Sequence, residues 1–271
     1  MRPLVSIIVP TRDRIFFTEN ILRNFYRQNY DAKNMELIIL DDSLEPKMKE
    51  LLPNNRNIRY NHVKRKNPMP IGKKRNKLSD LANGKIIVQM DDDDFYPAGC
   101  VSHVVNKLKP SKYQVACLGD LYVFFLKNFR IAHIKIKNPS HVVAFKKSYF
   151  KKNRFNDKDK VTEETFFLKG NTNKIVRVPA KKSMLMVAHS RNTSEKNLLL
   201  DPSTATPLSI KDFMSEEVDV NFYTQKLFNE YKPYISPCRA ETFLDDPHGD
   251  NVPTFNFMAA CGEARRKDNN L

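Results

Sequence analysis

Glycine is scarce in this chain, with only seven in 271 residues. Neither the G-x-G-x-x-G pattern of dinucleotide-binding folds nor the G-x-x-x-x-G-K-S/T phosphate loop occurs in the sequence. Proteins that hold nucleotide phosphates in a glycine-rich loop are therefore excluded as a class. Cysteine is scarce as well. The four cysteines form no C-x-x-C pair, which argues against a zinc knuckle, and their irregular spacing is typical of free thiols in a reducing compartment.

Long apolar runs and targeting segments are also missing. No hydrophobic stretch approaches the roughly twenty residues needed to span a membrane. Residues 1–3 lead directly into a strand-like run and not into a signal peptide. We therefore expect a cytoplasmic protein. The high Lys and Asn content indicates an AT-rich genome of microbial or viral origin, so the cytoplasm of a host cell is included in this expectation.

Positive charge is in excess, with 46 Lys and Arg against 31 Asp and Glu and a formal net charge of +15. Such a balance favours acidic partners, which include nucleic acid, an anionic membrane surface and phosphorylated substrates. The alternative is that the charge reflects coding bias and gives only a well solvated surface. Hydrophobic residues make up 41% of the chain, so a sizeable core can form.

Strands and helices alternate along the first ninety residues. Short β-branched or leucine-rich runs predict buried strands, and apolar residues at helical spacing predict the helices between them. This order is typical of a parallel sheet covered on both faces, in which ligands bind beyond the carboxyl ends of the strands. Thr11, Asp42 and the four aspartates 91–94 follow such ends, so we expect them to converge. The predicted strands are 4–9, 36–40, 58–63 and 85–90, and the predicted helices are 14–28 and 73–82.

The pattern changes after residue 97 and predicts a mixed second half. Two helices, five strands and a polar linker over 194–207 precede a last amphipathic helix over about 208–231. Residues 232–271 show no clear period and receive no assignment. The predicted helices are 97–108 and 161–169, and the predicted strands are 114–126, 129–136, 141–145, 175–178 and 184–188.

The acidic run Asp91, Asp92, Asp93 and Asp94 follows directly on a buried strand. Adjacent carboxylates repel one another and raise each other's pKa values, a cost that a hard divalent cation with oxygen ligands removes. Mg²⁺ or Mn²⁺ bound to one or two carboxylates and to substrate phosphates fits this chemistry. The alternative is a solvated acidic turn that caps the next helix. Nucleases, polymerases and pyrophosphorylases also use such clusters, so the run alone does not select one reaction.

Four further motifs stand in a fixed order around this run. They are V-S-I-I-V-P-T at 5–11, L-D-D-S at 40–43, G-K-K-R-N at 72–76 and G-K-I-I at 84–87. With the aspartates 91–94 they resemble the inverting family 2 glycosyltransferases, which carry a D-x-D motif. The resemblance implies an α/β, Rossmann-like GT-A fold, with a mostly parallel central sheet flanked by helices, a small mixed second half and a C-terminal helical extension. It continues more weakly to about residue 195.

The resemblance also implies a division of the chain. We expect a glycosyltransferase domain over 1–195, with a nucleotide-binding half over about 1–110 and an acceptor half over about 111–195. A C-terminal extension would then occupy 196–271.

The donor-binding residues follow from the same resemblance. Thr11 and Asp42 would hold the nucleotide base, and Arg75 would approach the base or the diphosphate. A carboxylate can accept the imide N–H of uracil, and an arginine fork can clamp phosphate oxygens. The alternatives are a turn residue at a strand end for Asp42 and a solvated helix face for Arg75. UDP is the expected nucleotide, because the Thr11 and Asp42 pattern resembles that of relatives that use UDP.

Metal binding is implied mainly at Asp93, with Asp91 in support, and Asp92 and Asp94 would contact the donor. Because four aspartates follow one another, the assignment of these roles to individual aspartates is open by one position along the run. The cation would be Mn²⁺ or Mg²⁺ and would offset charge on the leaving diphosphate. His189 lies in a stretch that resembles a late His-x-x-Asn-x-Ser segment of the family. It would complete the metal shell or contact phosphate, and the alternative is a structural histidine.

An inverting transfer needs a general base that deprotonates the acceptor hydroxyl. Family members carry a Glu-Asp pair at the start of a helix after the sheet, and this chain has Glu163 and Glu164 there. Glu164 stands where the family has its catalytic Asp, and glutamate is one methylene longer, so either residue could serve. The alternative is that these acids only stabilise the N-terminus of a helix.

Three function classes remain to be compared. The first is a glycosyltransferase that moves a sugar from a UDP-sugar to a glycan, protein or small-molecule acceptor. For this class we expect no specific binding of nucleic acid, and peripheral contact with a membrane is left open. The second is a basic nucleic-acid-binding protein, against which stands the absence of aromatic residues among the basic runs. The third is a metal-dependent nucleotidyltransferase on the same fold, which would release pyrophosphate. The sequence does not specify the sugar, the acceptor or the oligomeric state. Retention at the anomeric carbon is the alternative to inversion, which the candidate base at Glu163 and Glu164 favours.

Overall fold

A computed structural model describes residues 2–126, 130–160, 163–189, 192, 205–209 and 226. The chain divides into two compact units. The first comprises Met1–Tyr122 and Ile134–Met186, and the second comprises Val123–His133 and the described residues within Val187–Leu271. Of the residues implicated by the sequence, only His189 belongs to the second unit.

The first four strands form the parallel half of the central sheet. β1 lies in the middle, between β2 and β4, and β3 pairs with β2 on the outer side. Every residue of β1, β2 and β4 is buried, which explains why their sequences are mostly apolar. The predicted parallel α/β half is therefore confirmed. The four strands are β1 (Val5–Thr11), β2 (Met35–Asp41), β3 (Ile58–His62) and β4 (Ile86–Gln89).

The remaining strands form a mixed half of the sheet, which continues the order as β4-β6-β5-β7. β6 runs antiparallel to β4, whereas β7 runs parallel to β5, and β8 and β9 pair with β5 and β6. The two strands predicted over 129–136 and 141–145 are one continuous strand. These strands are β5 (Val115–Phe125), β6 (Arg130–Lys146), β7 (Ile175–Val178), β8 (Met186–Ala188) and β9 (Ala205–Ser209).

Four helices lie close to where the apolar spacing predicts them, with shifts of a few residues at their ends, whereas the short helix Lys147–Phe150 is not among those predicted. The first predicted helix, 14–28, begins as a 3-10 turn at Ile15–Phe17 before it becomes α-helical. Residues 161 and 162, the first two of the predicted helix 161–169, lie outside the described residues. The helices are α1 (Thr18–Tyr26), α2 (Ile71–Leu81), α3 (Cys100–Leu108), α4 (Lys147–Phe150) and α5 (Glu164–Leu168).

An aromatic cluster anchors α5 to the sheet. The Phe167 ring stacks on Phe155, with centroids 4.1 Å apart and planes 8° from parallel, and meets Phe145 edge-on at 5.0 Å. The Tyr149 hydroxyl donates a hydrogen bond of 2.8 Å to the Phe167 carbonyl. Buried aromatic pairs of this kind add to the free energy of burial and fix relative orientation. The acidic residues at the start of α5 therefore rest on a rigid support.

The C-terminal extension is described only in part. Residues 205–209 form β9, so Leu208 and Ser209 lie in a strand where the sequence predicts the start of a helix. Residue 226 is described, and the rest of the predicted helix over 208–231 lies outside the described residues. Within the described part of the chain, no helix is both long and apolar enough to cross a membrane.

Candidate active site

The acidic run lies at the carboxyl ends of β1 and β4, and its carboxylates are held by neighbouring side chains. Thr11 donates a hydrogen bond of 2.6 Å from Oγ1 to Asp92 Oδ2. The Arg14 guanidinium lies between two carboxylates, with Nη1 2.6 Å from Asp92 Oδ1 and 2.8 Å from Asp93 Oδ2. Asp91 differs from the other three, because 40% of its side chain is exposed whereas they are buried. The predicted convergence of Thr11 with the acidic run is therefore present.

The backbone of the run is fixed by two asparagines of α1 that the sequence reading did not single out. Asn20 Nδ2 donates to the carbonyls of Asp92 and Asp94 at 2.8 and 3.0 Å. Asn24 Nδ2 donates to the Asp94 carbonyl at 2.8 Å, and its Oδ1 accepts from the Tyr96 backbone N–H at 3.1 Å. The two residues are four apart and share one helix face. In the sequence, they can be recognised as two asparagines four positions apart among the apolar residues of α1.

Burial makes the charge of this run costly. It raises the pKa of Asp92 to about 6, an effect to which the Asp93 charge adds and which Arg14 and the Thr11 hydrogen bond oppose. The described residues contain no group of three His, Cys, Asp or Glu side chains that could hold a metal by itself. The oxygen ligands of Asp91 and Asp93 still fit Mg²⁺ or Mn²⁺, because such ions take one or two carboxylates and complete their shell with phosphate oxygens and water.

Asp42 lies immediately after β2 and is completely buried. Its carboxylate forms an ion pair with Lys74 of α2 and accepts a 2.5 Å hydrogen bond from the Met69 backbone N–H. Arg12 donates to the Asp42 carbonyl at 2.6 Å. Lys74 also donates to the Thr11 carbonyl at 3.0 Å, so it joins the ends of β1 and β2. Asp42 thus organises the rim of the sheet through contacts with the protein.

A cleft of about 430 Å³ opens beside Asp41, the neighbour of Asp42. Asp41 is held by the Ser43 hydroxyl and, at 2.7 Å, by the Tyr60 hydroxyl. Ile15 and Leu44, which are 39% and 48% exposed, provide apolar walls. Apolar walls with a few fixed polar groups are typical of small-molecule sites.

Arg75 connects the acidic run with α5. Its Nε lies 2.5 Å from Glu163 Oε1, and its Nη2 lies 3.1 Å from Asp91 Oδ1. Burial lowers the pKa of Arg75, but the charges of Asp91 and Glu163 outweigh this effect and raise it above its usual value. Arg75 is therefore a buried permanent cation. The alternative of a solvated helix face is wrong, because only 6% of the residue is exposed.

The two glutamates at the start of α5 have different surroundings. Glu163 is buried and bonded to Arg75. Glu164 lines a small pocket of about 40 Å³ together with Arg75 and Asp91. Burial, followed by the charge of Glu163, raises the pKa of Glu164 to about 7, although Arg75 opposes the shift. A carboxylate with a pKa near neutral pH is suited to general base catalysis.

His189 bonds to residues near it in the chain. Its backbone N–H donates to Asn192 Oδ1 at 2.7 Å, and its Nε2 lies 3.0 Å from Asn192 Nδ2. The tautomer that accepts from the Asn192 amide uses the Nε2 lone pair, which a metal would otherwise need. A role of His189 as a metal ligand stays a prediction.

The fold and the site define a class of protein: a GT-A fold with an acidic run at the sheet edge. Staphylococcus aureus TarS 1–349 in complex with UDP-GlcNAc matches with a TM-score of 0.54 at 16% identity, over 90% of this chain and 76% of that one. Mannosyltransferase PcManGT from Pyrobaculum calidifontis, in complex with GDP-Man and Mn²⁺, matches with a TM-score of 0.53 at 16% identity, over 73% and 60%. These likenesses confirm the predicted GT-A fold.

A match between the amino-acid sequence and a family model establishes the family of this chain. The model of glycosyl transferase family 2 matches residues 6–178, and the chain belongs to this family. A curated protein from Campylobacter jejuni, the GalNAc(5)-diNAcBac-PP-undecaprenol beta-1,3-glucosyltransferase, is 28% identical over 185 residues. These residues cover 61% of this chain and 59% of that relative, so the chain spans somewhat more than half the relative's length.

Proposed function

We propose that this protein transfers a sugar from a UDP-sugar to an acceptor hydroxyl, with inversion at the anomeric carbon and with the help of a divalent cation. The observation that carries the proposal is that Asp91, Arg75 and Glu164 line one pocket at the carboxyl ends of the parallel strands. This arrangement combines a carboxylate of the acidic run, a buried cation and a carboxylate with a raised pKa. Inverting sugar transfer from a diphosphate can use each of these groups, for metal binding, for charge stabilisation and for general base catalysis.

The nucleoside of the donor would occupy the 430 Å³ cleft beside Asp41. Ile15 and Leu44 offer apolar surface to a planar base, and the Ser43 hydroxyl and the Asp41 carboxylate offer polar contacts. Asp42, to which the family pattern assigns base binding, would support this cleft through Lys74 and Arg12. Thr11 would act in the same indirect way, because its hydroxyl is bonded to Asp92.

Mn²⁺ or Mg²⁺ would be held by Asp93 and Asp91 and would offset negative charge on the departing diphosphate. Asp92 and Asp94 would fix the run around them. In support, the burial that raises the pKa of Asp92 makes added positive charge favourable at this place. The permanent charge of Arg75, next to Asp91, would attract the donor phosphates from the other side.

Glu164 would serve as the general base. It takes the proton of the acceptor hydroxyl while the acceptor oxygen forms a bond to the anomeric carbon. The bond between that carbon and the β-phosphate oxygen breaks, and UDP leaves with the bonding electrons. Glu163 would hold Arg75 and, through its charge, keep the pKa of Glu164 raised.

A hexose donor and a glycan acceptor suit this site, since the Campylobacter relative is named as a glucosyltransferase that acts on a lipid-linked glycan. Protein and small-molecule acceptors remain alternatives. The division into a domain over 1–195, with a nucleotide half over 1–110, and an extension over 196–271 also stays a proposal, as does cytoplasmic localisation with peripheral membrane contact.

Thermal-shift measurements with UDP-, GDP- and TDP-sugars, each with and without Mn²⁺, test the proposal. A ligand that binds only the native state raises the unfolding midpoint, and at a given concentration the shift increases with the logarithm of the ligand's affinity. We expect the largest shift with a UDP-sugar and Mn²⁺ together, followed by slow release of UDP when water replaces the acceptor. Release of pyrophosphate instead of UDP, or no shift with any sugar nucleotide, would contradict the proposal.

A further inference from the structure

Two residues that line the small pocket beside Asp91 each carry a buried polar atom without a hydrogen-bond partner among the described residues. The volume of this pocket, about 40 Å³, suits a single water-sized group. Gln89, the last residue of β4, lines it and is 4% exposed. The Gln89 Nε2 donates a 2.8 Å hydrogen bond to the Val142 carbonyl, but its Oε1 accepts none from any residue that the structure describes. A buried acceptor without a donor is costly, so such an atom in a pocket indicates a missing ligand group.

The second unpartnered atom is on Arg75, which lines the same pocket. Its Nε and Nη2 are bonded to Glu163 and Asp91, whereas its Nη1 is buried without a hydrogen-bond partner in the part of the chain that the structure describes. The lining residues of the pocket therefore carry one unused acceptor and one unused donor. A hydroxyl is the simplest group that satisfies both, because it donates one hydrogen bond and accepts others.

The backbone around the pocket is also unusual. His141 lines the pocket and has a φ of 51°, in the left-handed region that non-glycine residues seldom adopt. It is immediately followed by Val142, whose carbonyl fixes the Gln89 amide. Strained backbone persists where the surrounding structure holds it, often at ligand sites. Here it lies next to the carbonyl that sets the orientation of the Gln89 side chain.

We infer that this pocket binds one hydroxyl of the transferred sugar, with Gln89 Oε1 as acceptor and Arg75 Nη1 as donor, and that Gln89 determines which sugars are accepted. This inference rests on the proposed function. The pocket is shared with Asp91 and Glu164, the groups expected on either side of the anomeric carbon, so a ring hydroxyl of the donor would lie within its reach. The nucleoside cleft has a different lining and contains none of these residues.

The test compares UDP with a UDP-sugar on wild-type protein and on Gln89→Met. The sugar is the one among UDP-glucose, UDP-galactose and UDP-N-acetylglucosamine with the largest thermal shift. Methionine has nearly the length of glutamine but lacks its amide, so we expect the UDP-sugar to bind on the order of tenfold more weakly while the affinity for UDP stays unchanged. Sites that bind a ligand hydroxyl through buried polar groups discriminate strongly against its loss.

Gln28→Met is the matched control. Gln28 is also buried, at 5% exposure, and its amide bonds Asn24 and Val101 away from the pocket, so this variant should bind UDP and the UDP-sugar in the wild-type ratio. If Gln89→Met does not fold, Gln89→Asn, which withdraws the amide by one methylene, takes its place with the same expected result. The inference is overturned if Gln89→Met weakens the binding of UDP and of the UDP-sugar equally, or if it weakens the binding of neither. If wild-type protein binds no UDP-sugar, the proposed function itself fails.

Discussion

Two adjacent glutamates at the start of one short helix have different neighbours. The Glu163 carboxylate forms an ion pair with Arg75 at 2.5 Å. Glu164 lies beside that charge in the small pocket, and its pKa rises to about 7. A carboxylate whose pKa is raised toward neutral pH by its surroundings is a candidate for an acid or base role.

The raised pKa predicts the pH dependence of transfer. A general base acts only in its deprotonated form, so kcat/KM should rise about tenfold per pH unit below pH 7 and level off above it. Glu164→Gln should remove this dependence and lower the rate on the order of a hundredfold or more while UDP-sugar binding persists. Steady-state kinetics between pH 5 and pH 9 provide the measurement. Normal transfer by Glu164→Gln would instead assign the base to Glu163 or to another group.

Asp93 provides a second test at the scale of a residue. Asp93→Ala removes an expected metal ligand and leaves Arg14 paired with Asp92, which retains its 2.6 Å contact. We expect Mn²⁺-stimulated donor hydrolysis to fall on the order of a hundredfold, with little change in the unfolding midpoint.

Asp80→Ala is the matched control for that experiment. Asp80 is 53% exposed and pairs with Arg154 on the surface, so its loss should have little effect on stability or on hydrolysis. If Asp93→Ala still responds to Mn²⁺ as the wild type does, the metal site assigned to this residue is wrong.

At the scale of elements, the junction between α2 and β4 depends on a close approach of backbone. The Gly84 N–H donates a 2.7 Å hydrogen bond to the Ser6 hydroxyl, which in turn donates to Glu36 at 2.5 Å. Asn83 and Arg59 bond to the same carboxylate. These contacts fix the start of β4 against β1 and thereby set the position of the acidic run at its other end.

This close approach predicts a stability difference between two glycines. A Cβ at Gly84 would lie 2.5 Å from the Ser6 backbone nitrogen, whereas a Cβ at Gly99 would have no atom within 4 Å. Gly84→Ala should therefore lower the free energy of unfolding by about 2 kcal/mol or more, the range of overpacked interiors, and Gly99→Ala should not lower it. Urea unfolding of both variants provides the comparison, and equal midpoints would contradict it.

At the scale of the whole molecule, the positive charge should be visible in its interactions with membranes. A net charge of +15 attracts anionic lipid headgroups, and this attraction is screened by salt. We expect the full chain to sediment with vesicles that contain phosphatidylglycerol at about 0.05 M salt and to be released at about 0.5 M. Vesicles of phosphatidylcholine alone are the control. Equal binding to both kinds of vesicle, or to neither, would show that the charge does not drive membrane contact.

Much of the fold was predictable because its signals are local. The apolar runs of β1, β2 and β4 predicted buried parallel strands, and the sheet places them next to one another. Other features depend on pairing between distant segments. β6 is one strand of 17 residues although its sequence predicts two, because the extent of a strand depends on the neighbours with which it pairs, here β4, β5 and β9, and not only on local residue preference.

By itself the sequence determined which chemistry is present: an acidic run after a buried strand, a basic helix after residue 70 and a pair of glutamates near residue 164. The tertiary structure decided which of these groups meet. Arg75 donates a hydrogen bond to Glu163, which is 88 positions away in the chain, and this contact gives Glu163 a partner that differs from the surroundings of Glu164. Gln89 lines the pocket with Arg75 only in the folded protein. Periodicity and motif order reflect local backbone preference, whereas pKa values and unpaired polar atoms arise from burial, which exists only once the chain has folded.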